Sequence, residues 1–132
     1  MKTLIVEDDF TNRLVLQRFP SRYGECHVAV NGKEAIEAFR LARNDGRGYD
    51  LICMDILMPE MDGHQAVQEI RGLEKEEGIA PATAVRIFMT TALSDLPNVT
   101  KSAQEHCDDY LLKPIDTGRL LHDLKSFGLV PA

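Results

Sequence analysis

The chain has 132 residues, 44% of them hydrophobic, enough to bury one ordinary core and to fold as a single domain over residues 1–132. Its 15 basic and 21 acidic residues give a formal charge of -6, which argues against direct nucleic-acid or anionic-membrane binding, since either needs a positive patch. No apolar run is long enough to span a bilayer, and MKTLIVEDD turns acidic too early for a signal peptide, so a cytoplasmic protein is expected.

Short apolar runs alternate with segments of helical period. The first run, Thr3 to Val6, ends in Glu7-Asp8-Asp9 and leads to a helix pattern at Leu14, Val15 and Phe19 that Pro20 should stop. His27 to Val30 follows, then Asn31 with Glu34, spaced as a capping box, and apolar positions Ala35, Ile36, Phe39 and Ala42. Asn44-Asp45-Gly46 breaks that helix.

The third run, Leu51 to Met54, ends at Asp55. Asp62 with Gln65 caps a helix through Ala66, Val67, Ile70 and Leu73, and Gly78 to Pro81 forms its exit. Val85 to Met89 leads to Thr90-Thr91. A weaker helix pattern surrounds Val99 and Ala103. Tyr110 to Leu112 ends at Lys113-Pro114, and Leu120, Leu121, Leu124 and Phe127 close the chain at helical spacing.

Five strands alternating with five helices imply an α/β, doubly wound parallel sheet covered on both faces, because parallel neighbours need right-handed crossovers. Ligands of such sheets bind beyond the carboxyl ends of the strands. That rule brings Glu7-Asp8-Asp9, Asp55, Thr90-Thr91 and Lys113 to one edge. Clustered carboxylates repel unless a cation joins them, so the set predicts a hard, oxygen-ligated ion such as Mg2+.

Asp55, set between apolar stretches, is the candidate nucleophile for accepting a phosphoryl group. Lys113 is its counter-charge, and a cis bond to Pro114 would aim it back into the pocket. Either Thr90 or Thr91 offers a hydroxyl, and spacing does not choose between them. Cys26, Cys53 and Cys107 are an odd number without metal or disulfide spacing, so they read as reduced packing residues. His27, His64, His106 and His122 share no metal spacing.

With these motifs placed, LIVEDD, LICMDILMPEMDG, IFMTTAL and DDYLLKPI, in that order, resemble the receiver domain of two-component response regulators (CheY-like) over nearly the whole chain. The resemblance implies a (βα)5 flavodoxin-like three-layer sandwich with sheet order 2-1-3-4-5. It implies that Asp55 is phosphorylated by a sensor histidine kinase or histidine phosphotransfer protein, with Mg2+ held by Asp8, by Glu7 through water, by Asp55 and by the backbone carbonyl of Leu57.

Thr91, followed by Ala92, then matches the family's switch hydroxyl and Tyr110 the aromatic that follows it. Their movement would change the surface of the fourth helix, fifth strand and fifth helix, which recruits a downstream protein target. The resemblance leaves open a monomer or a phosphorylation-dependent homodimer.

Departures from the family are His106-Cys107 where a glycine usually stands, a first helix shortened by Pro20, and a longer third-helix exit over residues 73–83. A positive φ at His106 would carry strain of about 1 kcal/mol or more. Leu57 and Leu93, each two residues beyond an active residue, cannot orient an attacking water, so slow loss of the phosphoryl group is expected. The chain ends soon after the fifth helix, so no DNA-binding or catalytic output domain is expected. The competing readings are a Mg2+-dependent phosphohydrolase, which would want a second acid where Leu57 stands, and a scaffold that keeps the fold without switching.

Overall fold

A computed structural model describes residues 1–56, 58, 61–92 and 106–131. Five strands, β1 (Thr3–Val6), β2 (Cys26–Ala29), β3 (Leu51–Asp55), β4 (Arg86–Ala92) and β5 (Asp109–Lys113), form one sheet of order β2-β1-β3-β4-β5. Every pairing is parallel. The helices are α1 (Phe10–Arg18), α2 (Gly32–Asn44), α3 (Gly63–Glu76) and α4 (Thr117–Ser126), the last being the one expected as fifth. The helix expected around Val99 and Ala103 lies outside the described residues.

Alternation along the strands sorts the core into two layers. Leu4, Val6, Ile52, Met54, Ile87 and Met89 pack against the apolar stripes of α2 and α3. Ile5, Leu51, Cys53, Phe88 and Leu111 pack against Leu16 of α1 and against Leu120 and Leu124 of α4. Burial on both faces explains why the central strands are nearly continuous apolar runs. The three cysteines form no disulfide among the described residues, and burial pushes the Cys53 thiol up to about 12. No helix among the described residues is long and apolar enough to cross a membrane.

The helix ends follow their capping chemistry. Asp62 accepts from the Gln65 amide at 2.9 Å while Gln65 reaches back to the Asp62 amide at 3.3 Å, a complete box. Asn31 accepts from the Glu34 amide at 2.8 Å, but Glu34 returns to the Val30 amide instead, at 3.2 Å. The α1 stripe differs from its sequence pattern. Among the three consecutive apolar residues Leu14, Val15 and Leu16, only Leu16 turns onto the sheet, leaving Leu14 50% and Val15 40% exposed. Successive helical residues point about 100° apart, so a nine-residue helix lying on one sheet face buries a single one of them.

β1 keeps the limits of its run, and limits of the other strands shift by one to three residues. β2 starts at Cys26 because Cys26 pairs with Thr3, the first residue of β1. β4 runs to Ala92 and β5 to Lys113, since Ala92 still pairs with Lys113. The polar residues therefore sit on the last rungs of the ladder, where the backbone stays paired. Regular pairing fixes the direction of each side chain far better than a loop does.

At the other end of the sheet, Arg71 of α3 ties three elements together. Its guanidinium donates to Glu74 at 2.7 Å, to the Val85 carbonyl at 2.8 Å, to the His106 carbonyl at 2.9 Å and to Asp108 at 3.1 Å. Asp108 also accepts from the Ile87 amide at 2.8 Å and from Arg86 at 3.1 Å. This clamp sets where β5 enters the sheet. His106 has helical backbone, so the left-handed conformation considered for it is not adopted. A cleft of about 640 Å3 opens over the clamp, at the opposite end of the strands from Glu7 and Asp55, and its central charges already satisfy one another.

Candidate metal and phosphoryl site

The site is built from the last residues of three neighbouring strands and the turn after β1. The Glu7 amide donates to the Ala29 carbonyl at 3.1 Å, extending the ladder one rung past Val6, and the Glu7 side chain is fully buried. Asp8 is exposed at the mouth. Asp55 ends β3 and is 5% exposed. Oxygens of Glu7, Asp8 and Asp55 all lie within 4.8 Å of one another.

Lys113, the last residue of β5, brings the opposing charge. Its Nζ stands 2.8 Å from Glu7 Oε1 and 3.1 Å from Asp55 Oδ1, and the bond to Pro114 is cis. Burial raises the Glu7 carboxyl, and the neighbouring Asp55 raises it further, against the pull of Lys113. Burial would lower the Lys113 ammonium, but Glu7 and Asp55 outweigh it and hold it above its usual range. One ammonium faces three carboxylates, so the pocket keeps an excess of negative charge.

That donor set, three carboxylates with two of them buried, fits a hard divalent cation such as Mg2+, and Glu7, Asp8 and Asp55 are the residues that would hold it. The Leu57 carbonyl, expected to complete the shell, lies outside the described residues, as does Leu93.

Three residues support the site in ways that were not anticipated. Asp9, grouped in sequence with the clustered carboxylates, instead caps α1 by accepting from the Asn12 amide at 3.0 Å. An acid just before a helical segment is a readable cap signal. Arg13 donates to the carbonyls of Glu7 and Asp8, both at 3.3 Å, and so fixes the acidic turn. Gly63 admits the return of the chain against β3: a Cβ there would meet the Asp55 carbonyl oxygen at 2.3 Å and Ile56 Cα at 3.0 Å. Its amide donates to the Ile56 carbonyl at 2.8 Å. No local pattern announces such a close approach.

The two threonines separate by face. Thr90 pairs with Asp55 and shares its side of the sheet, whereas Thr91 pairs with Leu112 and alternates to the other. Both are buried, and the Thr91 hydroxyl donates to the Ala92 carbonyl at 3.2 Å. Tyr110 pairs with Met89 and packs on the layer under α2 and α3. Burial raises its phenol, with the Cys107 thiol beside it adding to the effect.

Comparison with known proteins agrees with this geometry. The family model for the response regulator receiver domain matches residues 3–125. Response regulator sskA of Aspergillus fumigatus is 36% identical over 96% of this chain and 14% of its own length. Hybrid signal transduction histidine kinase G of Dictyostelium discoideum is 34% identical over 97% of this chain and 4% of its own. The chain thus spans a small part of these curated relatives.

Among solved structures, one similar chain belongs to the co-crystal of the Saccharomyces cerevisiae histidine phosphotransfer signaling protein Ypd1 and the receiver domain of its downstream response regulator Ssk1. It has a TM-score of 0.78 and 29% identity, over 98% of this chain and 89% of that one. The receiver domain of sensor histidine kinase PA1611 from Pseudomonas aeruginosa, solved with magnesium coordinated in its active site cleft, has a TM-score of 0.75 and 28% identity, over 96% and 95% of the two chains. From the five-stranded parallel sheet, the acidic cluster at its carboxyl edge and these matches, the chain belongs to the family of response regulator receiver domains.

Proposed function

We propose that residues 1–132 form one receiver domain acting as a phosphoacceptor switch in the cytoplasm. Asp55 receives a phosphoryl group from a histidine of a sensor kinase or histidine phosphotransfer protein. The observation that carries this reading is the Lys113 ammonium 3.1 Å from Asp55, within a carboxylate cluster whose oxygens lie within 4.8 Å. In the transfer an Asp55 oxygen bonds to phosphorus as the histidine N–P bond breaks, and the electron pair returns to the imidazole. Mg2+, when bound, would neutralise charge on the phosphoryl oxygens.

Lys113 is placed to exchange its pairing with Asp55 for one with a phosphoryl oxygen. Thr91, assigned by its position before Ala92, would give up the Ala92 carbonyl for a phosphoryl oxygen, and Tyr110 would follow inward. The readout is then the surface of β5, α4 and the segment expected as the fourth helix, where a downstream protein docks. Leu57 and Leu93 in place of water-orienting residues favour a long-lived phosphoryl group.

Incubation with Mg2+ and acetyl phosphate, followed by intact mass, tests the reading. The expected result is a gain of one HPO3 unit that Asp55→Ala abolishes and that decays slowly. No gain in a folded wild-type protein would favour a non-switching scaffold. Rapid turnover with release of phosphate would favour the phosphohydrolase, which the lack of a second acid at Leu57 already disfavours.

A further inference from the structure

Thr90 is fully buried, and its hydroxyl has no hydrogen-bond partner among the described residues. Native folds seldom leave such a group unsatisfied, and the exceptions tend to mark sites of function. Its neighbours in register are Asp55 on β3 and Leu111 on β5, both on its own face of the sheet. Asp55 is the polar one of the two.

Lys113 lies on that same face, two residues beyond Leu111. To place its Nζ 3.1 Å from Asp55 and 2.8 Å from Glu7, its stem must cross β4, at about 4.8 Å per strand. It starts opposite Ala92, so it crosses the carboxyl end of β4 on the face that Thr90 shares. The orphan hydroxyl thus belongs to the register partner of Asp55, on the face of the sheet that Lys113 shares.

We infer that Thr90 is a donor held in reserve for the aspartyl phosphate: it hydrogen-bonds the acyl oxygen of Asp55 once the phosphoryl group has drawn Lys113 away. The inference rests on Asp55 being the phosphoacceptor. In hydrolysis a water oxygen bonds to phosphorus while the Asp55 O–P bond breaks. The electron pair stays on the carboxylate, and the proton of the water leaves with the released phosphate. Half of the new carboxylate charge falls on the acyl oxygen, so a donor there binds the transition state more strongly than the aspartyl phosphate and speeds its loss. Thr90 would thus set the lifetime of the signal, in opposition to the apolar Leu57 and Leu93.

The test uses Thr90→Val, which keeps the shape and removes the hydroxyl, and Thr90→Ser, which keeps the hydroxyl. Each protein is phosphorylated with acetyl phosphate and Mg2+, the donor is removed, and loss of the HPO3 unit is followed by intact mass. The expected result is decay about five-fold slower in Thr90→Val and near wild type in Thr90→Ser, the scale of one hydrogen bond. The unphosphorylated Thr90→Val protein should melt no lower than wild type, because the Thr90 hydroxyl has no hydrogen-bond partner among the described residues. Decay of Thr90→Val at the wild-type rate, or equal slowing in Thr90→Ser, overturns the inference. So does a lower Tm in Thr90→Val that Thr90→Ser restores, since the hydroxyl would then serve the resting fold. No adduct on wild type overturns the phosphoacceptor reading, and this inference with it.

Discussion

The ammonium of Lys113 lies closer to Glu7, at 2.8 Å, than to Asp55, at 3.1 Å. The lysine is therefore shared between two buried carboxylates. Either carboxylate can lose its hold on Lys113 without stranding the ammonium, which suits the exchange of partners proposed for it.

The excess negative charge predicts stabilisation by Mg2+. A cation that binds only the folded state raises stability by mass action, about 2.7 kcal/mol at a hundred times Kd. Thermal melts should shift upward with millimolar Mg2+, and Asp8→Asn should remove most of the shift while leaving the metal-free Tm little changed, because Asp8 is exposed. A Tm indifferent to Mg2+ would sink the metal assignment.

Gly63→Ala should harm both fold and chemistry. Its new Cβ would stand 2.3 Å from the Asp55 carbonyl oxygen, so backbone must move, at a cost of about 1–3 kcal/mol. Displacement of Asp55 should also slow phosphorylation by acetyl phosphate. Urea melts and a mass time course read the two effects, and wild-type values in both would show that the close approach is unimportant.

Arg71→Ala leaves Glu74, 3% exposed, without its cation and frees Asp108 from α3. A loss of about 3–5 kcal/mol is expected in urea unfolding. The double change Arg71→Met with Glu74→Leu should recover much of it, because no buried charge is then stranded. If the double variant is as unstable as the single, the clamp acts through geometry and not through charge.

Asp109 and Asp123 share the Arg119 guanidinium, at 3.5 Å and 3.0 Å. Burial, with Asp123 close by, pushes Asp109 up to about 6. An acid raised above its unfolded value binds its proton more tightly when folded. Its stabilising contribution is complete below about pH 4 and disappears as pH rises through 6. Asp109→Asn should therefore gain stability relative to wild type between pH 5 and pH 8, by about 1 kcal/mol after solvent screening of this partly exposed group. Paired urea melts at the two pH values measure it, and a difference that does not change with pH would refute the raised Asp109 carboxyl.

Much of the geometry at the carboxyl edge is legible in the sequence. Asp55 and Lys113 follow apolar runs, and a parallel sheet brings strand ends together, so their meeting follows from periodicity and topology. Asp62 and Asn31 announce caps because capping depends on a few adjacent residues. The apolar stripes of α2 and α3 face the sheet as their spacing requires.

What escaped the sequence depends on contacts between residues distant in the chain. Which of Leu14, Val15 and Leu16 is buried depends on how α1 lies on the sheet, and helical spacing leaves that open. The sharing of Lys113 between two acids, the need for glycine at position 63 and the four bonds of Arg71 all arise where separate elements meet. Likewise two adjacent threonines look alike in sequence, and only the pairing of Asp55 with Thr90 puts one of them on the face of Asp55. The sequence by itself determined the strand and helix order, the carboxyl-edge acids and the family, because these follow from local periodicity and short motifs. Tertiary structure alone decided partners, faces and close approaches, because these depend on register and packing across the sheet.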